Sequence, residues 1–515
     1  MLTKTKTPSF ILELPLITTL PDERTLRIKL ESARVLYNAV LGESLKRLSL
    51  MRESKEWRSA RSLPKSEPDK AKTFKLCAER FKFTDYDMQA YGTKCKNSCF
   101  IGSHLDAHTS QKISTRAFKA AASYYYGKSG RPRFKSKWKS LDSVESKTNN
   151  SGIRWRDDHI EWDNLYLRAM FDKKDKHGVQ AAGLQSKVKY CRIIRKAVKG
   201  RERFYVQLIL HGFPKIKNKN IISNNTACVD IGPSTIALVS KQDAFLKEFC
   251  PGAKRLKRYI RRIQRAMERS KRLSNPDNFN ACGTVKKGKL KWLFTNGYLR
   301  LKTKLSEYYR IQKAYRKTEH GKMANTVISK ANIILAEKLS YKSFQKNYGK
   351  SVRDKAPGMF ISILRRKAEN AGGEVIEFPT NAAKLSQTCQ CGNIVKKSLS
   401  QRWHICPACG IKAQRDLYSA YLGLFVHKDN GVWNLDIDSA FKSWSTAEPL
   451  LEKAMSDVFQ TASNGNVPVS FGIKSKDRAV PSRSSLVTQR DSGCCNGLSR
   501  EPEGFALIAD RTPCL

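Results

Sequence analysis

The chain has 515 residues, too many for one ordinary core, and 97 Lys and Arg stand against 46 Asp and Glu, a formal net charge of +51. Solubility does not require such an excess; a polyanion partner does, because each cation that meets a phosphate releases a counterion. No stretch approaches the ~18 apolar residues of a spanning helix, and Met1-Leu2-Thr3-Lys4-Thr5-Lys6 has no apolar segment after its lysines, so the expectation is a cytoplasmic nucleic-acid-binding protein with no membrane partner.

Residues 8–18 alternate apolar and polar through Phe10, Leu12, Leu14 and Leu16, which predicts a strand. The period then changes: Leu30, Ala33, Leu36 and Val40 fall on one face of a helix over 24–51, and 73–126 continues as basic helix. Gly127-Lys128-Ser129-Gly130-Arg131-Pro132 breaks that pattern. Short β runs follow over 151–213: Ile160-Glu161-Trp162, Leu165-Tyr166-Leu167, then Val188 to Val198 and Arg203 to Leu210 around Lys199-Gly200. A strand before the helices and strands after them predict a β domain interrupted by a helical insertion. Between Tyr124-Tyr125-Tyr126 and Trp138, the cations Lys128, Arg131, Arg133, Lys135 and Lys137 interleave with aromatics. Such a segment can stack bases while following phosphates, although the aromatics serve a core equally well.

Pro214 to Asn225 reads as a linker, and an α/β segment begins at Thr226. Asp230 sits in Ala227-Cys228-Val229-Asp230-Ile231-Gly232, ahead of a second apolar run from Thr235 to Val239. Residues 251–330 hold 23 Lys and Arg and 4 acids; Leu256, Ile260, Ile263 and Met267 form a core-facing helical stripe. Arg258, Arg261, Arg262 and Arg265 lie opposite as candidate phosphate contacts. Glu337 lies in Ile333-Ile334-Leu335-Ala336-Glu337-Lys338-Leu339, and Asp416 in Gln414-Arg415-Asp416-Leu417-Tyr418-Ser419-Ala420. Singly, Asp230 serves a turn, Glu337 an ion pair with Lys338, and Asp416 a helix cap. Jointly they suit two-metal phosphodiester hydrolysis, in which carboxylates from distant segments clamp two cations roughly 4 Å apart.

The chain has 14 cysteines, and one group has ligand spacing: Cys389-Gln390-Cys391-Gly392, then Cys406-Pro407-Ala408-Cys409-Gly410. Thiolates at i and i+3 chelate one ion, with a glycine allowing the turn around it; this predicts one structural zinc and a reducing compartment. The first half is C-x-C, one residue short, so His404 is a candidate substitute ligand. Beyond about residue 461 the chain turns Ser-, Asn- and Pro-rich, which predicts a disordered tail.

The order of strand-Asp-Ile-Gly, a distant Glu in Ile-x-x-Glu-x-Leu, Leu385-Ser386-Gln387-Thr388-Cys389 before the knuckle, and Arg415-Asp416 soon after it resembles TnpB (OrfB). These are insertion-sequence proteins, RNA-guided DNA nucleases related to the type V CRISPR effectors. Gly130-Arg131-Pro132-Arg133-Phe134-Lys135 is similar to the family's stretch before its central β domain. The resemblance covers about residues 8 to 425. It implies a multidomain α+β protein: a wedge-type β barrel (1–25 and 127–220) with a helical recognition insertion (26–126). An RNase H-like (RuvC) α/β nuclease domain follows (226–460), with a basic helical insertion at about 251–330 and a zinc ribbon inserted at 386–412. It also implies a transposon-associated, Mg²⁺-dependent DNA endonuclease with Asp230, Glu337 and Asp416 as catalytic acids. Asp230 would bridge two Mg²⁺ ions, with Glu337 and Asp416 completing one coordination sphere each. Implied partners are guide RNA and target DNA, single- and double-stranded, with monomer and homodimer both open. The family often carries Asn two residues after the third acid, where this chain has Tyr418. Competing readings are a nuclease-silent RNA-guided DNA-binding protein, against which the three acids argue; a strand-transferring transposase, against which the cysteine cluster between the second and third acids argues; and a basic zinc-ribbon scaffold, which leaves Asp230 and Glu337 unexplained.

Overall fold

The computed structural model describes residues 7–64, 66–137, 141–217, 222–254, 256–398, 401–463 and 471–473. Trp138, Cys494, Cys495, Cys514 and nearly all of the predicted tail lie outside them. The chain forms two compact units that part between Lys215 and Ile216.

In the first unit, β1 (Ser9–Pro15) buries Phe10, Leu12 and Leu14 on one face, as its alternation demands. The helices α1 (Leu20–Glu53), α2 (Lys55–Ser62), α3 (Lys70–Arg80), α4 (Asp85–Asn97) and α5 (Ala107–Tyr125) follow. Helix α1 starts four residues ahead of its predicted limit. Thr19 and Asp22 form a capping box there, and Pro21 sits in the first turn, where its missing N–H costs nothing. Strands β2 (Ser143–Glu145), β3 (Arg154–Arg156), β4 (His159–Trp162) and β5 (Leu165–Arg168) precede the short α6 (Val179–Leu184). The long hairpin β6 (Val188–Val198) and β7 (Arg201–His211) closes the unit, with Lys199 and Gly200 both at positive φ in its turn. The strands make an antiparallel sheet ordered β1-β7-β6-β2 and a meander β3-β4-β5, joined by a bridge between Leu16 and Ala169. In the chain α1 to α5 fall between β1 and β2, the two edge strands of one sheet, so the helices are an insertion within the β unit.

The second unit is built on a sheet ordered β10-β9-β8-β11-β12. The strands are β8 (Thr226–Ile231), β9 (Thr235–Ser240), β10 (Ala244–Glu248), β11 (Ile333–Lys338) and β12 (Glu374–Pro379). The first three are antiparallel neighbours; β11 runs parallel to both β8 and β12. Helices α7 (Lys257–Leu273) and α8 (Asn296–Ile328) connect β10 to β11, and α9 (Tyr341–Lys355) and α10 (Pro357–Asn370) connect β11 to β12. A short α11 (Thr380–Ala383), the hairpin β13 (Trp403–Ile405) and β14 (Lys412–Gln414), and α12 (Arg415–Gly423) follow. The hairpin β15 (Val426–Asp429) and β16 (Val432–Leu435) then leads into α13 (Ile437–Ser463).

Alternation divides this sheet between two cores. Ala227, Val229, Ile334 and Ala336 pack with Val327, Phe360 and Leu364, whereas Cys228, Ala237 and Leu335 pack with Leu417, Ala420 and Tyr421 of α12. Asp230 and Glu337 share the parity of Cys228 and Leu335, so both belong to the face that α12 covers. Among the described residues no helix is long and apolar enough to cross a membrane.

Candidate active site and metal centre

The parallel register pairs Ala336 with Val229, so Glu337 and Asp230, one residue further, stand side by side at the C-terminal ends of neighbouring strands. Asp416 reaches the same place from the first turn of α12 and is 5% exposed. It does not cap that helix: Gln414 does, its side chain accepting from Leu417 N at 2.8 Å. Asp416 instead accepts from the Thr235 hydroxyl on β9 at 2.7 Å, and Arg415 Nε lies 3.5 Å from its other oxygen. Arg415 is itself held by the loop before β13, donating Nη1 to Gln401 O at 3.0 Å.

Burial, then the charges of Asp416 and Glu337, push the Asp230 carboxyl well above the usual carboxylate range, with Arg415 and Arg402 opposing. Burial alone raises Glu337 from 4.5 to about 7. Two acids that resist ionising side by side are ready for a cation that would neutralise them, and an all-carboxylate oxygen set suits Mg²⁺. The three are spaced more loosely than the cysteines, whose ligand atoms form a group within 4.8 Å of one another.

The raised values predict a pH effect. The folded chain holds the Glu337 proton up to about 7 and the unfolded chain releases it near 4.5, so this group's contribution to stability is full below 4.5 and is lost as pH rises through 7. The loss for this partly exposed group should be about 1–3 kcal/mol. Melting followed in chelator should show Glu337→Gln matching wild type near pH 4.5 and exceeding it at pH 8. An undiminished pH slope in the variant would contradict the burial of this carboxyl.

The cysteine centre forms as its spacing predicts. Sulfur atoms lie 3.5 Å apart for Cys389 and Cys409 and 3.6 Å for Cys391 and Cys406. Each half is a tight turn, closed by Gly392 N–H donating to Cys389 O and Gly410 N–H donating to Cys406 O, with both glycines at positive φ. The C-x-C half therefore delivers both thiols despite its missing residue. Burial raises the Cys406 thiol, but hydrogen bonds from the backbone of Cys409 and Ala408 and from Asn393 outweigh it, bringing the group down to about 6. Four thiols so placed could hold a metal such as zinc. His404 is not one of the four: its ring is fully buried, stacks on Tyr418 at 4.3 Å, and sets Nδ1 against Lys397.

The basic candidates divide. Arg258, Arg261, Arg262 and Arg265 are all exposed on α7, opposite the buried Ile260 and Ile263. Lys128, Arg131, Arg133 and Lys137 are exposed too, while Lys135 is pinned to α1, where Asn38 bonds both its N–H and its carbonyl. Tyr125 packs edge-on against Phe83 and Tyr124 lies under Arg52, so these two are core; Tyr126 and Phe134 remain exposed. Sequence reasoning passed over Thr235 as a partner of Asp416. No local signal at either position points to the other; a Cβ on Gly232 would lie 2.8 Å from the Thr235 hydroxyl, which constrains only the turn.

Residues 358–422, from α10 through the cysteine centre to α12, match the family described as Cas12f1-like, TNB domain. The match spans that segment alone and supports a TnpB-like, type V relationship. The type V resemblance read from the residues around the cysteines is thereby borne out. The chain is similar to the protein of the Cas12f1–sgRNA–target DNA complex, at 12% identity over 81% of this chain and 98% of that one, TM-score 0.43. It is also similar to that of the CRISPR–Cas12f ternary complex, at 12% identity over 78% and 81%, TM-score 0.27. A third similar structure is CasPhi-2 (Cas12j) bound to crRNA and phosphorothioate DNA, at 10% identity over 81% and 91%, TM-score 0.30. No curated protein sequence matches the chain.

Proposed function

We propose that the protein is an RNA-guided DNA endonuclease whose second unit is an RNase H-like, RuvC-type nuclease domain. The observation that carries this reading is the convergence of Asp230 and Glu337, on adjacent parallel strands, beneath the helix whose first turn holds Asp416. Numbered within the unit, the sheet runs 3-2-1-4-5 with the last two strands parallel to the first, an order that suits an RNase H-like domain. The first unit, a sheet with a helical insertion, is read as wedge and recognition lobe.

Asp230, Glu337 and Asp416 would hold two Mg²⁺ ions, and the four cysteines one zinc. Mg²⁺ bound there would supply a more acidic water and offset charge on the phosphate. Thr235 fixes one oxygen of Asp416, and Arg415 keeps positive charge beside it. The zinc centre is closed by its four protein ligands and has a structural role.

The excess of 97 cations over 46 acids makes RNA and DNA the expected partners. The test begins with the RNA that co-purifies. Binding of that RNA should weaken steeply with salt, and neutralising Arg258, Arg261, Arg262 and Arg265 together should flatten log affinity against log salt by up to ~0.7 per lost contact. Ile260 and Ile263 are untouched, so α7 should still dock. A folded variant with an unchanged slope would move the RNA path away from α7, and protein purified free of RNA at low salt would contradict the guide itself.

A further inference from the structure

We propose that Tyr418 is a positioning residue that ties the cysteine centre to Asp416, so that a filled metal site fixes where that carboxylate stands. The inference rests on the reading of Asp416 as a metal ligand and names what holds it from behind. The two residues lie two positions apart near the start of α12. The Tyr418 hydroxyl oxygen accepts the Gln390 backbone N–H at 2.9 Å and lies 3.4 Å from Cys389 Sγ. Since the amide already uses this oxygen as an acceptor, the phenol O–H is free to donate to sulfur, and a thiolate on a metal is a better acceptor than a thiol.

The ring has no room to drift. It is 1% exposed, stacked on His404 at 4.3 Å and met edge-on by Trp444 at 5.5 Å. On the opposite side of the same helical turn, the Thr235 hydroxyl grips Asp416 at 2.7 Å. The first turn of α12 is thus clamped between the cysteine turn and the sheet. Emptying the cysteine centre would loosen one jaw of that clamp.

The test measures release of zinc to a chromogenic chelator from the full-length protein. Tyr418→Phe removes only the hydroxyl, and should speed release by about 10–100-fold, the usual cost of losing such a partner of a ligand. Tyr421→Phe is the control: its hydroxyl donates to Ala440 O in the same core, away from the cysteines, and its loss should leave release at the wild-type rate. Tyr418→Phe should also raise the Mg²⁺ concentration that half-saturates DNA cleavage, an effect that general loosening in Tyr421→Phe should not produce. Wild-type release from Tyr418→Phe, or equal acceleration in both variants, would overturn the proposal. Should Tyr418→Phe not fold, hydrogen exchange of the wild-type chain decides: removing zinc should speed exchange over 415–423 well before α10. Protection of 415–423 that is indifferent to zinc would overturn it. A wild-type protein that cuts no DNA would undo the nuclease reading while leaving the zinc-release result intact.

Discussion

Asp230→Ala should abolish DNA cleavage while leaving RNA binding and RNA-guided target binding close to wild type. Asp230 sits where strand β8 ends against β11, and no hydrogen bond of the sheet depends on its side chain. Its charge is a burden to the fold, since burial and the neighbouring acids both disfavour ionisation. Removing it should therefore cost no stability, and in metal-free buffer above neutral pH should add some. The cost falls on the chemistry. Losing several kcal/mol of charge stabilisation at the phosphate amounts to at least about a 10³-fold drop in rate. Glu337→Ala and Asp416→Ala should behave alike, and combining them should add little, because groups that act as one unit are not additive. Cleavage at near wild-type rate by any of the three, measured in Mg²⁺, would remove that residue from the site.

Cys406→Ser should have the largest effect on stability. The wild-type chain should carry about one zinc, and the free energy of binding a structural zinc is folding free energy, on the order of 10 kcal/mol in small zinc domains. Cys406 is buried, and its sulfur lies against Cys391 and the Asn393 amide. With Ser there, metal content should fall well below one per chain and residues 386–414 should open. The loss should spread to Asp416, because Arg415 N–H and Nη1 are both held by carbonyls of the cysteine-bearing loop, those of Arg402 and Gln401. Cleavage should then fall with RNA binding retained. Freshly purified, chelator-free wild type without zinc, or a variant with full zinc and unchanged melting, would contradict the centre.

Signals local to the sequence were legible. The alternation of Phe10, Leu12 and Leu14, the turn at Lys199-Gly200, the apolar runs around Asp230 and Glu337 and the cysteine spacing each specify their own geometry within a few residues. Contacts made across long stretches of chain were not. Thr235 meets Asp416 across 181 residues, and nothing at either position announces the other. Tyr418 reads as a departure from a familiar pattern, and only the fold brings its hydroxyl to Gln390 and Cys389. His404 looks like a ligand because it lies among cysteines, yet strand β13 turns it onto Tyr418. The start of α1 was missed for a different reason. A capping box overrides the apolar period used to find the helix, so the first turn carries Asp22 and Glu23 and no hydrophobic stripe.

In the proposed function, Asp230 and Glu337 on the five-stranded sheet and Asp416 on α12 together serve to cut DNA chosen by a bound RNA. The most direct measurement sequences the RNA that co-purifies, builds a DNA duplex matching it, and follows cleavage by the wild-type complex with Mg²⁺ and with chelator. The matched duplex should be cut in Mg²⁺, with no cutting in chelator and none of an unmatched duplex. Cutting that ignores the match or persists in chelator, or an intact matched duplex in Mg²⁺, would contradict it.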